Sequence, residues 1–244
     1  MVLTLDVGNT RIKSAVFEHH TMIKSYVFEK NIFEKNILNI LKKYPKIKNL
    51  IVSSVAKIED SNFQEIKKHL KITFIEYNTI LPFENLYTTP LTMGIDRMVL
   101  AAGATLNFSG KNRLVIDAGT CITYDYINKN DQYLGGAISP GLRLRYESLH
   151  NYTAKLPLLS VDNPEKIIGN STNQAIHSGV INGTISEING FINQFEAENP
   201  NFIIILTGGD CDFLAKRLKN TIFANSNFLL ESLNLIYLHT NQND

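Results

Sequence analysis

The chain has 244 residues, enough for one large domain or two of ordinary size with a proper core. Its 44% hydrophobic and 19% charged content describes a folded protein, and 24 basic against 23 acidic residues give no charge argument for a nucleic-acid or membrane partner. No apolar run approaches a membrane span, and Met1 leads straight into a strand without a cationic leader, so the expectation is a cytoplasmic protein. Cys121 and Cys211 are too few and too isolated for a disulfide framework or a thiolate metal site, and both are expected as small buried side chains. The histidines show no ligand spacing.

The opening run Val2, Leu3, Leu5 ends in Asp6, turns through Gly8-Asn9-Thr10 and resumes at Ile12, Ser14 and Val16. This predicts strand, polar turn, strand. Gly8 would let backbone N–H groups approach an oxyanion, while Asn9, Thr10 and Lys13 add donors and a positive charge. A carboxylate beside such a site is repulsive unless a cation lies between them, so Asp6 implies a metal–nucleotide site with Mg²⁺. An ordinary hairpin would explain the same residues as turn chemistry alone.

Met22 to Phe28 continues as a third strand. Asn31 to Lys43 carries an apolar helical face and stops at Tyr44-Pro45. Leu50 to Val55 predicts a strand, Ser61 to Leu70 a helix and Ile72 to Ile75 a short strand. Glu76 to Pro90 is irregular, with Phe83 and Tyr87, and has the character of a binding loop. It leads into Gly94-Ile95-Asp96-Arg97 and an Ala-rich helix, Met98 to Leu106, for which Asp96 is placed as the N-cap.

Leu114-Val115-Ile116-Asp117-Ala118-Gly119-Thr120, followed by the strand Cys121 to Ile127, repeats the opening pattern about one domain length later. A third strand (Tyr133 to Ile138) overlaps a Gly/Pro-rich turn (Gly135 to Gly141), and Leu142 to Leu149 is helical. Ile176, Val180, Ile185, Ile188, Ile192 and Phe195 mark one long helix after Ser171-Thr172, with glycines at 179, 183 and 190 tolerated inside it. Phe202 to Leu206 is a buried strand ending in Thr207-Gly208-Gly209-Asp210, and Asp210 opens a helix from Phe213 to Leu218. Both halves therefore read β-β-β-α-β-α, an internal duplication with domains 1–110 and 111–244.

Two half-domains that each begin with a strand-Asp-x-Gly hairpin, and a late strand ending in Gly-Gly, resemble the superfamily of acetate kinase, sugar kinases, Hsp70 and actin. Within it, Asp6 to Thr10, Gly94 to Arg97, Asp117 to Thr120, Gly135 to Gly141 and Thr207 to Asp210 resemble, in that order, the motifs of type III pantothenate kinase. The resemblance implies an α/β fold of two duplicated ribonuclease-H-like domains, the actin-like ATPase fold, with a cleft between them. It implies ATP-dependent phosphorylation of pantothenate to 4′-phosphopantothenate, the first step towards coenzyme A. Two other readings stay open at this point: another small-molecule kinase of the same superfamily, which would keep both hairpins, or a non-catalytic ATP-binding regulatory protein.

Carried over residue by residue, the resemblance makes Asp96 the general base on the pantothenate hydroxyl. Tyr87, Gly94, Ile95, Arg97 and Thr172 would contact pantothenate, with Arg97 suited to its carboxylate. Asp6, Val7, Gly8, Asn9, Thr10, Arg11, Ile12, Lys13 and Thr120 would hold the ATP phosphates. Asp6 lies on the Mg²⁺ side, and Asp117 corresponds to a monovalent-cation ligand, for K⁺ or NH₄⁺. The family forms homodimers with active sites at the interface.

Overall fold

The computed structural model describes residues 1–8, 10–54, 63–164, 166–199, 201–218 and 222–242. The expected site residue Asn9, the strand end at Val55 and the helix start at Ser61 lie outside the described residues. The chain forms two compact units: Met1–Ser109 with Asp131–Leu134 and Asn227–Asp244, and Gly110–Asn130 with Gly135–Ser226.

In the first unit, strands β1 (Val2–Val7), β2 (Ile12–Glu18), β3 (Thr21–Phe28), β4 (Asn49–Ser54) and β5 (Lys71–Phe74) form a sheet of order β3-β2-β1-β4-β5. The hairpins β1–β2 and β2–β3 are antiparallel, whereas β4 pairs with β1 and β5 with β4 in parallel. Alternation along the strands sends Leu3, Leu5, Val7, Ile12, Leu50 and Val52 to one face. There they meet Phe33, Ile37 and Ile40 of α1 (Phe33–Lys43), and Phe63 and Ile66 at α2 (Gln64–Lys67). Each such burial stabilises the fold by roughly 1.5–3 kcal/mol.

The two-residue strand β6 (Glu84–Asn85) and helix α3 (Ile95–Asn107) follow. Within the first unit β6 pairs in parallel with Gln132 and Tyr133, so the loop from 76 to 90 is anchored by a short ladder rather than irregular throughout.

In the second unit, β7 (Arg113–Ala118), β8 (Cys121–Ile127), the part of β9 (Gln132–Pro140) from Gly135 on, β10 (Ile203–Thr207) and β11 (Phe223–Ala224) run in the order β11-β10-β7-β8-β9. This is the strand order of the first sheet over again, with the first two strands antiparallel and the fourth parallel to the first. Leu114, Ile116, Tyr124 and Leu206 pack against Ile188 and Ile192 of α6 (Gly183–Glu198). Helices α4 (Leu142–Asn151), α5 (Thr172–His177) and α7 (Cys211–Ala215) complete the unit.

Several local expectations change. The Gly135–Gly141 segment is mostly strand, because β9 continues to Pro140; Gly136 permits this, since a Cβ there would overlap the Tyr124 carbonyl of β8. The long helix runs without a break from Thr172 to Glu198 but passes through one π segment, Ser178–Asn182, where Ser178 Oγ donates to the Ile167 carbonyl. Cys211 is buried as expected, but Cys121 is exposed because it is the first residue of β8, at the turn.

Helix α8 (Phe228–Gln242) clusters with the first unit although it follows the second in sequence. It packs on α3, β1 and β4. Gly103 of α3 makes the close crossing possible, since a Cβ there would overlap Ser232. No helix among the described residues is long and apolar enough to cross a membrane.

Candidate active site

The β1–β2 ladder places Asp6 opposite Lys13 and Val7 opposite Ile12. Side chains directly opposite share a face, so Asp6 and Lys13 project together while Val7 and Ile12 enter the core. Val7 and Ile12 can therefore offer a ligand only backbone groups. Thr10 and Arg11 are exposed at the turn, and Asp6 and Lys13 are half-buried. A Cβ on Gly8 would come within 3.2 Å of the Arg11 carbonyl, so the turn is tight there.

The head of α3 differs from the sequence reading in one respect: Gly94, not Asp96, is the N-cap residue. Asp96 sits in the first helical turn, where its Oδ1 accepts the Arg97 backbone N–H at 2.8 Å. That turn has N–H groups without helical partners, which suits an acidic side chain. Burial nevertheless dominates and pushes the Asp96 carboxyl above its ordinary value, against the opposing effects of the Arg97 N–H and guanidinium. A carboxylate with raised proton affinity, held at a helix head, is equipped to accept a proton.

Arg97 is 95% buried, at 5% relative exposure. Its Nη2 donates to Tyr133 Oη at 2.8 Å, and its Cζ lies 5.8 Å from the centre of the Tyr87 ring. Tyr133 also packs against Tyr87 and Phe83, with ring centres 6.0 Å apart in both pairs. Tyr87 is itself held by its N–H to Asn85 Oδ1 at 3.0 Å. Phe83, Tyr87 and Tyr133 thus form an aromatic wall that fixes a guanidinium one residue from Asp96. The sequence reading places Tyr133 at the start of a strand but not among the site residues. It carries no motif, and only the β6–β9 ladder brings it here.

In the second unit Asp117 pairs with Thr123 of β8 and Thr207 of β10. The following turn is made of close backbone contacts: Gly119 N–H donates to Cys121 O at 2.9 Å, and Gly141 N–H to Thr120 O at 3.0 Å. Gly208 has φ +99°, and a Cβ there would overlap Ala118 and Asp117 Oδ1. Asp210 N–H closes the cluster on Ala118 O at 2.9 Å. The glycine segments thus build the second hairpin and leave Thr120 exposed at its tip.

Asp210 is the N-cap residue of α7, but its side chain makes no capping bond, and burial pushes its carboxyl up. With Arg143, Tyr146, Leu158 and Leu159 it lines a cavity of about 510 Å³ in the second unit. Thr172 is exposed as the first residue of α5, which Ser171 caps by accepting Gln174 N–H at 3.3 Å. A network also missed by sequence reading braces the end of β9. Glu187 accepts from Tyr124 Oη at 2.9 Å, Ser139 Oγ at 2.5 Å and Arg145 Nη2 at 2.6 Å.

Among the described residues no three His, Cys, Asp or Glu side chains gather as a metal cage. Asp6 and Asp117 are each single carboxylates at a strand end beside backbone groups, and a hard cation such as Mg²⁺ or K⁺ held by one carboxylate would take the rest of its shell from water and phosphate.

A repeated five-stranded α/β unit, each opening on an aspartate-bearing hairpin, defines the actin-like ATPase fold. Solved structures share it at low identity. A Campylobacter jejuni protein assigned to the Baf family of transcriptional activators matches at TM-score 0.67 and 20% identity, over 98% of this chain and 99% of that one. A glucokinase from an Antarctic psychrotroph matches at TM-score 0.55 and 12% identity, over 98% of each chain. The family model of type III pantothenate kinase matches residues 2–194. A type III pantothenate kinase of Flavobacterium johnsoniae is 63% identical over 244 residues, covering 100% of both chains. The chain belongs to the type III pantothenate kinase family.

Proposed function

We propose that the chain transfers the γ-phosphoryl group of ATP to the hydroxyl of pantothenate, giving 4′-phosphopantothenate for coenzyme A synthesis in the cytoplasm. The observation that carries this reading is the family match, which reaches into both units. The head of α3 supports the chemistry, because Asp96 there has the raised proton affinity a general base needs.

In this reading Asp96 orients the pantothenate hydroxyl and takes its proton late, as a loose transition state allows. Arg97, held by Tyr133 and Tyr87, binds the pantothenate carboxylate. Gly94, Ile95 and Thr172 complete the acceptor pocket. Asp6 to Lys13 and Thr120 hold the ATP phosphates. Mg²⁺ at Asp6 would neutralise charge on the transferring phosphate, and K⁺ or NH₄⁺ at Asp117 would assist. The active form is a homodimer with the site at its interface. Exposed apolar residues of the second unit, Ile138 at 62%, Ile167 at 74% and Ile168 at 79%, are consistent with a covered face.

The test is coupled ADP release with pantothenate, Mg²⁺ and ATP, with K⁺ added and withheld. Pantothenate-dependent release that rises with K⁺ is expected. Release driven instead by a sugar or acetate, or none at all, would overturn the assignment.

A further inference from the structure

Ser53 is completely buried, and its hydroxyl has no hydrogen-bond partner. It is the residue of β4 that stands beside Asp6 in the parallel β1–β4 ladder. Neighbours in such a ladder send their side chains to the same face. Lys13 stands on the other flank of Asp6. Lys13, Asp6 and Ser53 therefore form one polar row across β2, β1 and β4, on the face opposite Leu5, Val7 and Val52.

An unpaired buried hydroxyl is unfavourable, and one retained in a native fold calls for a reason, a bound water or ion among them. Thr105 and Thr184 also carry buried hydroxyls without partners, but both lie in helices, where rotation can return the group to a carbonyl one turn back. Ser53 lies in a strand, and its Oγ reaches no carbonyl there, whereas Ser14 of β2 in the same sheet donates its Oγ to the Thr4 carbonyl at 2.8 Å.

We propose that Ser53 is a positioning residue for the hydrated divalent cation that accompanies ATP at Asp6. Mg²⁺ keeps several waters when one or two carboxylates bind it, and those waters point their hydrogens outward. A carboxylate can only accept hydrogen bonds, whereas a hydroxyl can accept one and donate another. Ser53 Oγ accepts from a cation-bound water and donates towards Asp6, fixing the carboxylate and the hydration shell together. The inference rests on the assignment of Asp6 to the cation.

The experiment compares the wild-type full chain with Ser53→Ala, Ser53→Cys and Asp6→Asn. Calorimetric titration with ADP, with and without Mg²⁺, gives the enhancement of nucleotide affinity by the metal, and thermal unfolding without ligand gives stability. Both Ser53 variants should lose about tenfold of the Mg²⁺ enhancement, the scale of one hydrogen bond in a charged shell, while metal-free ADP affinity stays unchanged. Their ligand-free Tm should equal or exceed that of the wild type, because no bonded partner is lost. Wild-type enhancement in both Ser53 variants, or a clear fall in ligand-free Tm in both, overturns the proposal. Asp6→Asn separates the two claims: if it keeps full enhancement, or if the wild type shows none, the Asp6 assignment fails and the Ser53 proposal with it.

Discussion

Gly94 and Asp96 occupy one space at the head of α3: a methyl group on Gly94 would overlap Asp96 Oδ1. The Gly94 backbone, at φ −58° and ψ 139°, is open to any residue, so the glycine is needed for the carboxylate and not for the turn.

Gly94→Ala should therefore act on turnover more than on folding. The Asp96 side chain can swing aside at little cost, keeping the loss of stability below about 1 kcal/mol. Displacing a reacting group by about 1 Å can cost 10²-fold, and a fall of that order in kcat is expected. Steady-state kinetics beside a melting curve checks this; normal turnover with a lowered Tm would reverse the interpretation.

Asp96→Asn should leave ATP binding largely intact and lower kcat by roughly 10²-fold or more, the usual scale for a positioned base. Stability should move the other way. Burial raises the folded-state pKa of Asp96 above its unfolded value, so between the two the folded state binds more protons. Stability then falls as pH rises through that window, and at neutral pH the ionised carboxylate opposes folding. The neutral amide should melt at an equal or higher temperature at pH 7. For the wild type, the acid limb of the rate profile should lie above the ordinary Asp range, and it should disappear in the variant.

Tyr133→Phe removes the acceptor of the Arg97 Nη2 bond and keeps the ring contacts with Phe83 and Tyr87. The guanidinium loses one orienting bond but keeps its aromatic support. The KM for pantothenate should rise by about tenfold while the KM for ATP holds, a difference matching one charge-assisted hydrogen bond. Equal changes in both would indicate a general loosening of the fold.

Gly208→Ala combines a left-handed backbone with a methyl overlapping Ala118 and Asp117 Oδ1. A destabilisation of about 1–3 kcal/mol is expected, together with a weaker response to K⁺ because Asp117 must move. Denaturant unfolding and the K⁺ dependence of ADP release measure the two effects.

The two hairpins were legible because each is local, with apolar alternation, an aspartate at the strand end and a glycine turn within some fifteen residues. Asp96 and Arg97 were legible as a motif, although the cap belongs to Gly94. Tyr133 and Ser53 were not, since their positions depend on β6–β9 and β1–β4 pairings that no short window records. Helix α8 lies between these cases. Leu230, Leu233 and Ile236 keep helical spacing, but nothing in that spacing says that the helix covers the first sheet. The π segment at Ser178–Asn182 was hidden for the opposite reason, because its apolar positions continue the helical rhythm on either side of it.

The return of α8 to β1 and β4 also orders events during synthesis. The strands emerge first from the ribosome, and the helix that seals one of their faces comes some two hundred residues later. Until then the α8-facing side of the nascent sheet is covered only in part, by α3 against β4, while the second unit can already condense. Such a delay exposes apolar surface to association with other chains. A stop codon or frameshift just before residue 228 should thus harm the half of the protein that was translated earliest.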